Sequence, residues 1–114
     1  MITARCILKL IFNMFIYNIT CKVDISICTE WKRWQLDEHI PEIMSSKLFT
    51  DFKFYKLLDQ DESEGETYIL QLFFLEKNNY ETYIKGFAPV LRDKAITKWG
   101  NRFIAYRTVM ESVQ

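Results

Sequence analysis

His39 is the only histidine in the chain. Imidazole titrates nearest to neutrality of all side chains, so it can accept or donate a proton at physiological pH. It stands four positions after Gln35 and two before Pro41, and no serine or cysteine nucleophile with a recognisable signature accompanies it. A lone imidazole more often caps a broken helix or bonds to backbone, and the catalytic role is weighed against that plainer one. Arg92 and Arg107 can each grip a carboxylate or phosphate through a bidentate fork. Arg107 falls between Tyr106 and Thr108 in a strand pattern. An arginine buried there needs a partner, and Glu30 or Glu38 can supply one internally. Trp31 and Trp34 can wall a ligand pocket with Tyr17, Phe52 and Tyr68, although aromatics at helical spacing more often fill a core. The expected site has His39 as its catalytic candidate and Trp34, Tyr68 and Arg107 as its binding candidates.

Other chemistries drop out on spacing. Cys6, Cys21 and Cys28 are odd in number and far apart, which fits neither a disulfide framework nor a zinc site. They read as reduced thiols of a cytoplasmic protein. The acidic run Asp59–Glu66 is not a calcium loop: counted from Asp59, the sixth position is Glu64, not glycine, and the twelfth is Leu70, not glutamate. Lys85-Gly86-Phe87-Ala88-Pro89-Val90 superficially resembles an RNA-recognition octamer, but Pro89 and Arg92 stand where stacking aromatics belong. Fifteen basic residues balance fifteen acidic ones, which argues against a phosphate-backbone binder. No Walker loop, dinucleotide fingerprint or nucleophile elbow is present. No cofactor, no metal and no nucleic-acid partner are expected.

The elements that must position these residues follow from periodicity. Phe15 to Val23 alternates, with Phe15, Tyr17, Ile19, Cys21 and Val23 on one side, and predicts a strand. Asp24 and Ser26 offer N-caps to a helix carrying Ile27, Trp31 and Trp34, which runs to about Glu38. His39-Ile40-Pro41 should interrupt it, and Pro41 can open a short second turn with Ile43 and Met44 inside. Leu48 to Leu58 predicts a second strand, 59–65 a polar hairpin loop, and Thr67 to Leu75 a third strand that is apolar on both faces. Asn78 or Asn79 can cap a second helix with Tyr80, Tyr83, Ile84 and Phe87 inside. That helix is kinked at Gly86 and Pro89, resumes through Leu91, Ala95 and Trp99, and stops at Gly100. Phe103 to Val113 predicts the fourth strand.

The order is βαββαβ, which predicts an α+β, ferredoxin-like plait: a four-stranded antiparallel sheet with two helices on one face. Two helices cover only one face, yet strands two and three carry apolar residues on both. The expected solution is a homodimer through the open sheet face. Residues 1–13 carry Arg5 and an apolar run like the early part of a signal peptide, but Lys9 and Asn13 break it and no cleavage site follows. The run is also far shorter than the roughly 20 residues a membrane span needs, so no membrane segment is expected. Met14 directly precedes the first strand, so the single domain is expected at 14–114, with 1–13 an upstream extension and Met1 a misplaced start.

A set of local patterns now gains meaning together. They are Glu30-Trp31-x-x-Trp34, His39-Ile40-Pro41-x-x-Met44, Leu57-Leu58, Thr67-Tyr68 with Gln71-x-Phe73, Tyr80-x-x-Tyr83, Ala88-Pro89-x-Leu91-Arg92, and Phe103-x-Ala105-x-Arg107-Thr108. Over Met14 to Val113 the chain resembles the bacterial family known as domain of unknown function 4286. The resemblance implies a small ferredoxin-like protein without an established activity. At the level of fold it is similar to the dimeric α/β barrels, which include cofactor-free monooxygenases and haem-degrading enzymes. Ser46-Lys47 departs from the pattern, because a small residue such as glycine is expected after the short helix.

Two functions follow as expectations. The first is a homodimeric module that binds a small molecule or a partner without catalysis. The alternative is a cofactor-independent enzyme acting on a small aromatic molecule, with His39 as proton shuttle and Trp34 and Tyr68 as walls. The enzyme needs a cavity of about 300 Å³ or more between helices and sheet, bordered by His39. A structural module can be packed solid.

Overall fold

The computed structural model describes residues 14–114. The upstream extension and Cys6 lie outside the described residues. The elements follow in the order β1 (Phe15–Asp24), α1 (Cys28–Trp34), a π-helical turn (Gln35–His39), α2 (Ile40–Ser45), β2 (Asp51–Lys56), β3 (Gly65–Phe74), α3 (Lys77–Gly86), α4 (Ala88–Trp99) and β4 (Phe103–Glu111). The strands form one sheet in the order β2-β3-β1-β4, and every neighbouring pair is antiparallel. Among the described residues no helix is long and apolar enough to cross a membrane.

The alternation in β1 determines which face is covered. Tyr17, Cys21 and Val23 are buried, and so are Leu72, Tyr68 and Leu70 on β3, the cross-strand partners of Tyr17, Cys21 and Ile19. Two clusters form on this one face. Toward one end, Tyr17, Leu72 and Phe74 meet Ile40, Ile43, Tyr83 and Leu91. Toward the other, Cys21, Val23 and Tyr68 meet Trp31, Trp34, Ala95 and Trp99. Both helical connections therefore pack on the same side of the sheet. The opposite side holds Asn18, bonded to Thr20 and Gln71 at 3.3 Å each, among apolar side chains. Tyr55, Ile104 and Met110 are exposed there, and Tyr106 is 63% exposed. Strand three is apolar on both faces, as its composition predicts: Leu70, Leu72 and Phe74 face the helices while Ile69 and Phe73 stay half-buried on the open side.

The first helical connection differs from the expected break. The chain stays helical from Cys28 to Ser45, and the Ile40 N–H bonds the Gln35 carbonyl, five residues back. This wide turn admits Pro41 without ending the helix. It also re-phases the inward stripe. At about 100° per residue, an unbroken α-helix would keep Glu38 and Glu42 on the side of Trp31 and turn Ile40 away. The extra residue reverses this: Ile40 and Ile43 are each 1% exposed while Glu38 is exposed.

Other boundaries shift for local reasons. β2 starts at Asp51 because Phe49 leaves the sheet and plugs the first cluster against Phe74 and Tyr83. Neither Asp24 nor Ser26 caps α1, since Asp24 instead accepts the Ser26 N–H in a tight turn, at 2.9 Å. The second connection bends at Phe87 (φ −120°), between Gly86 and Pro89 as expected. Gly100 ends α4 with φ +64°, its N–H on the Ile96 carbonyl at 2.7 Å. Lys47 takes φ +62° just after α2, where the family pattern calls for a small residue such as glycine. The turn is closed by Ser46 and Lys47 N–H groups on Ile43 and Met44, at 3.2 and 3.1 Å, against a left-handed penalty of about 1 kcal/mol.

Candidate ligand cavity between helices and sheet

The space between the helical layer and the sheet is not filled. A cavity of about 560 Å³ lies there, floored by β1–β4 and roofed by both helical connections. Its origin is a matter of volume. The two clusters place large aromatics around a centre occupied by small side chains. Cys21 on β1 pairs directly with Ala105 on β4, and Ala95 of α4 borders the same space. Interiors pack to near-crystalline density only where facing volumes match, and three small residues meeting together leave a void.

The walls are aromatic. Trp31 lies 5.3 Å from Tyr68 between ring centroids, and Phe54 stacks on Tyr68 at 5.7 Å. Trp34, a further wall, is backed by Trp99, which it meets edge-on at 5.8 Å. The mouth lies where α4 hands over to β4, because Ile96, Gly100, Asn101 and Arg107 border the cavity and are exposed.

All four sequence-derived candidates border this one space: His39, Trp34, Tyr68 and Arg107. Tyr17 and Trp31 join them, but Phe52 does not; Phe54, two residues on, takes its place. His39 stacks on Trp34 at 4.5 Å and 21°. Neither of its ring nitrogens bonds to a described residue, so the expected bond to backbone is not made. Burial pushes its pKa down to about 4, outweighing the nearby Glu42 carboxylate, with Lys94 adding to the drop. The ring is therefore neutral at physiological pH, with its lone pair available but only weakly basic.

Arg107 departs from its expected pairing. It is exposed on an edge strand, where a guanidinium needs no internal partner, and Glu30 and Glu38 are exposed on the helical layer. Arg92 donates from Nη2 to the Tyr17 hydroxyl at 3.1 Å. Burial raises the Tyr17 pKa against the opposing pull of Arg92, so this phenol stays protonated. Burial lifts the Cys21 thiol to about 12, which leaves it unreactive. Tyr68 points its hydroxyl out of the cluster to Glu66.

Sequence reasoning missed Gln35 and Tyr83. Gln35 is only 6% exposed, and both its Oε1 and the Trp31 Nε1 are buried without a partner among the described residues. The signal for Gln35 was present: one amide on an otherwise apolar stripe, four residues after Trp31. No pattern marked Tyr83 as anything but core.

Comparison with solved structures gives the fold. A dimeric ferredoxin-like protein from an uncultured marine organism superposes with a TM-score of 0.64 at 9% identity, over 90% of this chain and 97% of that one. A mutant of SnoaB, a cofactor-independent oxygenase from Streptomyces nogalater, also gives 0.64, at 7% identity over 88% and 94%. A dabb family protein with a ferredoxin-like fold from Mesorhizobium loti gives 0.61, at 13% identity over 90% and 97%. No curated protein matches the chain in sequence. The model of a domain of unknown function, DUF4286, matches residues 14–113, which is nearly the whole described chain, and the protein belongs to that family.

Proposed function

We propose that this protein is a cytoplasmic, homodimeric ferredoxin-like βαββαβ plait that binds a small, largely aromatic molecule between its helices and its sheet, without catalysis. One observation carries this reading. The cavity of about 560 Å³ falls within the range of small-molecule sites, about 300 to 1,000 Å³, where a purely structural module has no need of space. The neutral dye N-phenyl-1-naphthylamine, which fluoresces in apolar surroundings, tests it. The described protein should bind the dye with energy transfer from Trp31 and Trp34. Ala105→Phe, which a strand position tolerates, should weaken binding at least tenfold by placing a ring across the void. No binding by the unaltered chain, or equal binding by the variant, overturns the reading.

The dimer rests on the open face. Ile16, Ile69, Phe73, Ile104, Tyr106 and Met110 frame the Asn18–Gln71 pair there, and a second sheet would bury them. The similar protein from the marine organism is described as dimeric, as is one from Thermobifida fusca. Sedimentation equilibrium at micromolar concentration should give twice the 13.7 kDa chain mass, and Tyr106→Lys should return it to one. A single-chain mass for the unaltered protein removes the dimer. The cytoplasmic placement rests on the free thiols of Cys21 and Cys28.

A second reading is favoured by His39. A neutral imidazole bordering an aromatic cavity can accept a proton from an acidic carbon or phenol, and nearby guanidinium charge stabilises the resulting anion. One neighbour of the same fold is a cofactor-independent oxygenase. In this reading the protein is a cofactor-independent enzyme acting on a small aromatic molecule.

A further inference from the structure

We propose that the ligand of this cavity is an aromatic carboxylate, its ring among the tryptophans and its anionic head held between Arg92 and Arg107. The inference rests on the ligand-binding reading above and adds the charge and orientation of the ligand. The cavity is bordered by two guanidiniums and by no aspartate or glutamate, although the whole chain is neutral. Among the described residues neither arginine forms an ion pair. An uncompensated pair of cations at the edge of an apolar space attracts an anion and raises its local concentration.

The topology brings the two arginines to one end. Arg107 pairs with Ile19 in the sheet, and Tyr17, the next β1 residue on that face, takes the hydrogen bond from Arg92. Both guanidiniums act on the same two phenols, Tyr17 and Tyr83, and hold back the rise that burial gives them. Arg92 spends one of its five N–H groups on Tyr17, and the others have no partner among the described residues. Tyr17 accepts that bond and keeps its own O–H to donate. Two forks and one phenol match the two oxygens of a carboxylate. A phosphate would call for more donors, and among the described residues no helix N-terminus or glycine-rich backbone nest borders the space. The ring belongs at the other end, against Trp31, Trp34, Phe54 and Tyr68.

The test compares 2-naphthoate with its neutral isostere 2-naphthamide by calorimetry, with N-phenyl-1-naphthylamine as the control for an intact cavity. The unaltered protein should bind naphthoate at least tenfold more tightly than naphthamide, and the gap should narrow in high salt. Arg107→Gln, at an exposed position that leaves the fold alone, should cut the preference to about threefold or less. Arg92→Gln with Arg107→Gln should invert it, because a carboxylate without its guanidiniums is costly to desolvate. Equal affinities in the unaltered protein, with the dye still bound, overturn the carboxylate assignment and leave the cavity reading standing. A preference that survives Arg107→Gln unchanged also overturns it. Failure of all three probes removes both.

Discussion

Gly65→Ala is expected to cost about 3 kcal/mol or more and to lower the melting temperature by roughly 10–20 °C. Gly65 opens β3 opposite Asp24 with φ +152°, a conformation that residues with a Cβ rarely adopt. A Cβ there would sit 1.8 Å from the Val23 carbonyl oxygen and 3.1 Å from the Ile25 nitrogen. Both are backbone atoms, so no side chain can swing aside. β1 and β3 would have to part at this end, losing the Ile25 N–H bond to Glu64 at 2.9 Å. Val23 is fully buried beside Trp31 and Tyr68, so the opening would reach the second core cluster. Thermal denaturation measures the effect; a variant within about 1 kcal/mol of the parent would show that the two strands separate at little cost. Gly86→Ala is the internal comparison, since its added methyl meets nothing.

Acid should destabilise the protein through His39 before its carboxylates titrate. In the unfolded chain this ring takes a proton as pH falls through about 6.5, whereas in the folded protein it stays neutral until about 4. Across that window the unfolded state binds more protons, so stability falls as pH falls. The contribution is complete above about pH 6.5 and gone below about pH 4. The full swing is about 3 kcal/mol, a large share of the 5–15 kcal/mol typical of a domain. His39→Phe keeps a ring stacked on Trp34 and removes the titration. Urea midpoints at pH 7, 6, 5 and 4.5 should stay nearly level in the variant and fall steadily in the parent. Asp24, Asp61 and Glu66 have lowered pKa values from their hydrogen bonds and add a loss at lower pH that both proteins share. Parallel curves would mean that His39 is hydrated and charges freely when folded. The same pKa places any catalytic proton transfer to this ring on a limb near pH 4, well below the ordinary histidine range.

Strand faces were legible in the sequence because side-chain alternation is itself the cause of burial. Tyr17, Cys21 and Val23 face the helices as their spacing predicts. The helical connection was harder. Pro41 signals trouble for an α-helix, but the chain can answer by ending or by widening a turn, and the residue pattern up to Glu38 does not distinguish the two. Phe49 shows another limit: a run of aromatics reads as strand whether each ring lies on the sheet or plugs the core beside it. For the site, residue types marked His39, Trp34, Tyr68 and Arg107, and the fold gathers all four around one void. An internal partner for Arg107 follows only where the strand buries it; on the edge strand it is exposed and needs none. The void itself was illegible. Periodicity says which way Cys21, Ala95 and Ala105 point, not that three small side chains from distant segments converge.

The widened turn at Gln35–His39 holds one residue more than ordinary α winding would place there, which makes this stretch lenient about length. Dropping one residue between Trp34 and Ile40 would let the backbone close into α geometry and leave the phase beyond it nearly unchanged, with Ile43 within about 20° of the Trp31 direction. A second loss has no such slack to draw on and would rotate everything beyond by about 100°. A gap of one in this segment among related chains is therefore a change of winding, whereas a gap of two is a change of architecture.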